Sequence, residues 1–147
     1  MTRSFSSTNP EPRTLRFDRA GNPCRTLRNS DKAVCDGSLR FPIAVGNKHD
    51  YKELPFPNGN GHSSATCQVK GEEKVTVPAG VFDTVRIECA GFWTQVFDGS
   101  FRGRQTETLW YAPAISRLVK WQFFNFRGDN SPFTKNQHEL VEFIPAK

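Results

Sequence analysis

Long apolar runs are missing from this chain. Nowhere in its 147 residues is there a stretch near the roughly eighteen consecutive apolar residues that a membrane-crossing helix needs. Sustained helical spacing of apolar residues is absent as well. Histidine is scarce, and His49, His62 and His138 have no partners at metal-ligand spacing, so no metal or other cofactor is expected. No G-x-S-x-G elbow, Walker loop or dinucleotide fingerprint occurs, which removes the common signatures of hydrolase, phosphoryl-transfer and dehydrogenase chemistry. No asparagine lies in a usable N-x-S/T acceptor. Together these absences point away from an enzyme.

Basic charge is present, but not where a nucleic-acid binder needs it. The formal net charge is +5. Residues 1–40 hold seven Arg and one Lys against four acids, while the rest of the chain holds twelve cations against eleven acids. A nucleic-acid-binding domain concentrates base on the folded face that meets phosphate. Here the excess lies in a Ser-, Pro- and Arg-rich opening, so nucleic acid is not the expected partner.

Four cysteines stand at 24, 35, 67 and 89. The gap between Cys24 and Cys35 fits no zinc knuckle, and the absence of C-x-x-C argues against thioredoxin-type chemistry. An even count in a small chain fits disulfides, and the pairing expected is local, Cys24 with Cys35 and Cys67 with Cys89. Buried free thiols in a reducing compartment are the alternative. With disulfides, the compartment is periplasmic or secreted. Met1–Ser7 lacks the apolar core of a signal peptide, so an export signal is expected to have been replaced or removed ahead of it.

Residues 1–13 are polar and read as a disordered lead-in, leaving 14–147 as a single β domain. Thr14–Asp18 alternates like a first strand, Ala20–Pro23 supplies turn chemistry, and 29–38 reads as a loop tied by the first cysteine pair. Phe41–Gly46 is a short apolar run, a strand is expected over 47–53, and 55–63 is a Pro- and Gly-rich loop. From residue 64 the alternation is clean. Cys67, Val69, Val75 and Val77 share one parity, and Thr66, Gln68, Lys70, Glu72, Lys74 and Thr76 the other, as in a half-buried antiparallel strand.

Pro78-Ala79-Gly80 then turns the chain, and Val81, Val85, Ile87 and Cys89 resume the apolar parity. A three-residue hairpin loop would set Val77 opposite Val81. Cys67 would then face Gly91 and lie diagonal to Cys89, at about 7–8 Å, so the disulfide requires a bulge, expected near Gly71. Further strands are expected at 91–97, 104–112, 116–127 and 135–144, linked by Asp98-Gly99-Ser100, Pro113-Ala114 and Gly128–Pro132. Arg127-Gly128-Asp129 reads as a turn. The fold class is all-β: a meander of about six to nine strands in a curved antiparallel sheet, an open barrel or a sandwich.

Neighbouring strand residues face opposite ways, so Phe92-Trp93, Trp110-Tyr111 and Phe123-Phe124 place aromatics on both faces. Val119, Trp121 and Phe123 are expected on one side, Leu118, Phe124 and Phe126 on the other. Something must cover the second face: the N-terminal 60 residues, a partner subunit, or a ligand in a concavity. The candidate ligand-binding residues are Phe92, Trp93, Trp110, Tyr111, Trp121 and Phe124.

Glu73–Glu88, reading E-K-V-T-V-P-A-G-V-F-D-T-V-R-I-E, resembles the signature hairpin of a family of uncharacterised, mostly exported bacterial β-proteins. Thr108–Pro113 (T-L-W-Y-A-P) with Arg117–Lys120 resembles that family's second element, and Phe41–Lys48 its upstream F-P-L-x-V-G element, with His49 where an aromatic is usual. The resemblance covers residues 40–144. It implies a curved antiparallel sheet similar to the half-barrel of periplasmic lipoprotein carriers, and it brings no catalytic residues. The function expected is a non-enzymatic exported β-domain that binds an apolar or extended ligand, such as a lipid, or docks on a cell-envelope protein. Alternatives are a purely structural domain of a larger exported protein and a hydrolase with acids around Glu88 and Glu107.

Overall fold

A computed structural model describes residues 3–6, 9–14, 16–19, 22–26, 33–35, 37–55, 61–96, 100–129 and 131–144. The expected Ala20-Gly21 turn residues, most of the loop at 29–38 before Gly37, the centre of the 55–63 loop and the Asp98-Gly99 link lie outside them. Among the described residues all regular structure is β. Strands β1 (Arg3–Ser6), β2 (Asn9–Thr14), β3 (Arg16–Phe17), β4 (Pro23–Thr26) and β5 (Ala33–Cys35) precede β6 (Lys48–Pro55) and β7 (Gly61–Val77). Then follow β8 (Gly80–Val96), β9 (Ser100–Ala112), β10 (Arg117–Phe126) and β11 (Pro132–Glu142).

One antiparallel sheet runs in the order β2-β1-β11-β10-β9-β8-β7-β6, and β3-β4-β5 form a second, small sheet. The chain from β6 to β11 is thus a plain meander, and the sheet is unclosed, with β2 and β6 at its edges. Two expectations change here. The strands expected before and after residue 90 are one continuous strand, β8. Residues 3–6 and 9–14, whose composition reads as a disordered lead-in, pair as β1 and β2 beside β11. Pairing there satisfies backbone groups of β11 that would otherwise form the sheet edge.

The β7–β8 hairpin fixes which residues face which way. Its turn is one residue tighter than the sequence suggests, with Val77 opposite Gly80 rather than Val81. Pro78-Ala79 alone form the turn, and Gly80 takes a φ of +138° that a side chain disfavours. Farther along, Val69 pairs with Ile87 but Gly71 with Arg86, leaving Lys70 as an extra residue. This bulge, beside Gly71 as expected, brings Cys67 directly opposite Cys89. Both expected disulfides form, Cys24–Cys35 and Cys67–Cys89.

The bulge also reverses the faces. Cys67 and Val69 share a face with Ile87 and Cys89, but Val75 and Val77 lie on the opposite one, although all four residues of β7 have the same parity. A second irregularity between Leu118 and Lys120 does the same on β10. Leu118 therefore joins Trp121 and Phe123, while Val119 packs with Trp110 and Ala112 on the other side, which corrects the expected grouping.

One face is filled by the chain itself. Tyr51, Cys67, Ile87, Leu109, Tyr111 and Leu118 build its core, and Leu39 and Ile43 from the preceding segment pack onto them. Phe41 meets Tyr111 edge-on at 5.5 Å between ring centroids. Polar ties hold the segment down. The Asn22 side chain brackets Leu39, donating to its carbonyl at 3.1 Å and accepting from its N–H at 2.7 Å. The Ser38 hydroxyl donates to the Glu107 carboxylate. Of the three covers open to the sequence, the N-terminal segment is the one that lies on this face.

Among the described residues, the other face is covered at one end. Four strand spacings separate β7 from β11, about 19 Å in a flat sheet, yet Ala79 N–H reaches the Leu140 carbonyl at 3.0 Å. The sheet therefore coils, and the hairpin tip folds over to bury Val77 against Trp110, Ala112, Val119 and Leu140.

Leu39 is 4% exposed, so Leu39→Ala is expected to cost about 2–5 kcal/mol in urea denaturation. Val81→Ala, at a side chain 60% exposed, is expected to stay within about 0.5 kcal/mol. Replacing Cys67 and Cys89 together with Ala opens a loop of sequence separation 22 and is expected to cost about 3 kcal/mol, read in the same experiment.

Candidate functional site

The six aromatics singled out from sequence do not form one groove. Trp93, Tyr111 and Trp121 belong to the filled face, and Phe92, Trp110 and Phe124 to the other. Trp93 is held as structure. It stands opposite Gly103, where an added Cβ would come within 2.4 Å of the indole nitrogen, and that nitrogen donates to the Phe126 carbonyl at 2.9 Å. Tyr111 is buried beneath Phe41. Trp121 stacks on His138 with centroids 5.1 Å apart. Trp110 is buried under the hairpin tip, donating to Glu73 at 2.9 Å. Glu73, an acid on an apparently apolar parity, is explained by the bulge that turns it to this side.

Phe92 is different, with 51% of its surface exposed. It marks the open face, whose lattice follows from the strand registers. One transverse row reads Asp50, Thr66, Ala90, Thr106, Phe124, Lys135, each opposite the next. The row beside it, toward the hairpin tip, reads Lys48, Gln68, Glu88, Thr108, Gln122, Gln137. Small side chains at Thr66, Ala90 and Thr106 leave the floor low. A concavity of about 330 Å³ includes Lys48, Gln68, Glu88 and Thr108 in its lining. A second, of about 210 Å³, runs past Asp50, Ser64 and Phe92. Both include Thr66 and Ala90, so the two adjoin on the open face, and together they are termed the track.

Electrostatics divide the open face. Toward the hairpin tip, charges are matched: Glu88 lies 3.9 Å from Lys70 and 3.4 Å from Arg86. Toward the other end, cations sit over rings, Arg102 on Phe92 at 5.1 Å, Arg104 on Phe126 at 5.3 Å and Lys135 on Phe124 at 5.4 Å. Sequence reading missed Arg102, Arg104 and Lys135, because only the strand register brings them together. The polar alternation Thr66, Gln68, Lys70 was visible but reads equally well as an ordinary solvent face.

The remaining chemistry does not converge. Glu107 is 3% exposed on the filled face, and Glu88 is on the open face. The sheet stands between them, so they cannot act together on one bond. His49 meets the Gly37 carbonyl at 2.7 Å. Among the described residues no group of His, Cys, Asp and Glu could hold a metal. The filled face does carry three buried polar atoms without hydrogen-bond partners, Gln105 Oε1, Asn125 Oδ1 and Trp121 Nε1. The Arg127-Gly128-Asp129 segment is a turn, in which Asp129 accepts from the N–H and hydroxyl of Ser131 at 2.9 and 2.6 Å.

No protein-family model, curated protein or solved structure matches the chain. What the site can do rests on its own geometry.

Hydrogen bonds from Ser131, helped by the Arg127 charge, hold the Asp129 carboxyl below the usual carboxylate range. Ser131→Ala is expected to move its titration upward in carbon-detected NMR. The sign follows from linkage. A lowered folded pKa favours the native state above the unfolded carboxyl pKa, and that benefit fades as pH falls through the folded value.

Proposed function

We propose that this chain is a non-enzymatic binding domain, periplasmic or secreted, that takes an extended ligand along the open face of its sheet. The observation that carries the reading is the pair of adjoining concavities over Thr66 and Ala90, flanked by exposed Phe92 and by hydroxyl and amide groups from several strands. A track of this shape suits a chain-like ligand better than a compact one. Its donors and acceptors, Gln68, Thr106 and Thr108, suit a ligand rich in polar groups.

An apolar ligand or lipid is the weaker form of the expectation. Leu39 and Ile43 pack onto the apolar core of the filled face, and the hairpin tip covers Trp110 and Val119 on the other, which leaves Phe92 as the large apolar side chain exposed beside the track. The two disulfides fit an oxidising environment and support that compartment. No described helix is long and apolar enough to cross a membrane. Docking of an envelope protein would use the same track if that partner offers an extended segment.

Affinity electrophoresis of the oxidised protein through gels containing linear polymers tests this: dextran, a cello-oligomer mixture, polygalacturonate and an unstructured Gly-Ser-rich polypeptide. At least one is expected to retard the protein. Ala90→Trp or Thr66→Trp, at exposed positions on the track floor, is expected to abolish the retardation without lowering the melting temperature. Free migration in every gel, or retardation unchanged in both folded variants, would contradict the proposal.

A further inference from the structure

The two disulfides of this chain sit in different surroundings. Cys67 and Cys89 are 0% and 3% exposed and belong to the same buried cluster as Leu39. Cys24 and Cys35 are partly exposed, in the small β3-β4-β5 sheet. Thiol–disulfide exchange begins when a thiolate reaches a disulfide sulfur. Access therefore separates the two bonds: an external reductant meets Cys24–Cys35 in the folded protein and Cys67–Cys89 only after the core opens.

Cys24–Cys35 also stands at the root of the segment that covers the filled face. Cys24 pairs with Cys35, Arg25 with Val34 and Thr26 with Ala33. Continued one step and then another past the disulfide, that ladder brings Asn22 level with Gly37, just before buried Ser38 and Leu39. There the Asn22 side chain brackets the Leu39 backbone at 3.1 and 2.7 Å. Asp18 steadies the bracket, accepting from the Asn22 N–H at 2.9 Å. Cys24 Sγ lies 3.5 Å from the Asn22 carbonyl oxygen. The cross-link thus joins the strand that carries the bracket to the strand that runs into the bracketed residue.

We propose that Cys24–Cys35 is a redox-released fastener for the cover of the filled face. The reductant is a dithiol. One of its thiolates attacks one sulfur of the pair, forming a mixed disulfide and expelling the other cysteine as a thiolate, which takes up a proton. The second thiol then resolves the mixed disulfide. In sum the pair gains two electrons and two protons and becomes two thiols, and the reductant leaves as its own disulfide. Hydrogen bonds alone then hold Asn22 to Leu39. Losing a cross-link of sequence separation 11 is expected to favour local opening by about a hundredfold. Cys67–Cys89 still ties β7 to β8, so opening stops at the cover. The surface that it uncovers is apolar, with Ile87, Leu109, Tyr111 and Leu118 at its centre.

The test uses the full, oxidised chain under native conditions with graded dithiothreitol. Alkylation and peptide mass spectrometry report which cysteines have opened. Cys24 and Cys35 are expected to label while Cys67 and Cys89 stay oxidised. In that state the Leu39 amide, which donates to Asn22, is expected to exchange with deuterium about a hundredfold faster, and amides of β8 and β9 are expected to keep their protection. Fluorescence of the apolar dye anilinonaphthalene sulfonate is expected to rise. The double substitution Cys24→Ser/Cys35→Ser is expected to show the fast Leu39 exchange without reductant and to ignore its addition.

Reduction of all four cysteines together, or of none before unfolding, would overturn the proposal. So would selective reduction that leaves Leu39 exchange and dye fluorescence unchanged, since the bond would then fasten nothing. Loss of protection across β8 and β9 on opening Cys24–Cys35 would contradict it as well, by making the bond a support of the whole fold. None of these outcomes bears on the open face.

Discussion

The ladder between β7 and β8 carries the structure, because it must satisfy two anchors at once. Val77 pairs with Gly80 at the turn and Cys67 with Cys89 at the disulfide. The stretch of β7 between its two anchors is one residue longer than that of β8, so one residue has to be extruded, and it is Lys70. That single extra residue hands the outer half of β7 to the opposite face. Val75 and Val77, which would otherwise crowd onto Val69 and Cys67, instead fold over Trp110 and Val119. The coil of the sheet, the contact of Ala79 with Leu140 and the shelter over one end of the open face all follow. A bulge bends and twists its strand, and here the bend is what lets a sheet with bulky residues on both faces bury each of them differently.

Much of this was legible in the sequence. Strict alternation after residue 64 gives the all-β meander, and the even cysteine count with local spacing gives both disulfides. The geometric conflict between Cys67 and Cys89 even locates the bulge next to Gly71. The facing of individual residues was less accessible, since a one-residue change in register inverts every side chain beyond it. Val119 was misplaced for that reason, and Val77 was set opposite the wrong residue because the turn closed without Gly80. The basic-aromatic end of the open face was illegible for another reason. Arg102 and Arg104 are two residues apart on β9, but Lys135 lies far along a nearly neutral stretch of chain, and only the pairing of β8 to β11 collects all three on one face while sending acids such as Glu107 to the other side.

The two faces do different physical work. On the filled face a segment of the chain's own, Leu39 to Ile43, replaces water, held by Asn22, Ser38 and the disulfide-backed core. Apolar burial of this kind is the dominant favourable term in folding, so the aromatics there are committed to stability. The open face keeps low side chains at Thr66, Ala90 and Thr106 between taller polar and cationic ones. Trp110 on this face is sheltered by the hairpin tip, and Phe92, with Arg102 over its ring, stays half exposed. On the proposed reading, a ligand on such a face is held by hydrogen bonds and charge more than by apolar contact.

The proposed function depends on which face is open, and adjacent residues 92 and 93 report on opposite faces. Hydroxyl-radical footprinting of the native, oxidised protein reads both at once by peptide mass spectrometry. Phe92 is 51% exposed and Trp93 5%, so Phe92 is predicted to be modified faster even though an indole is intrinsically at least as reactive as a phenyl ring. Leu39 and Tyr111 are predicted to be protected alongside Trp93. Faster modification of Trp93 than of Phe92 would mean the faces are reversed, and would contradict the track, its ligand and the role given to the Lys70 bulge.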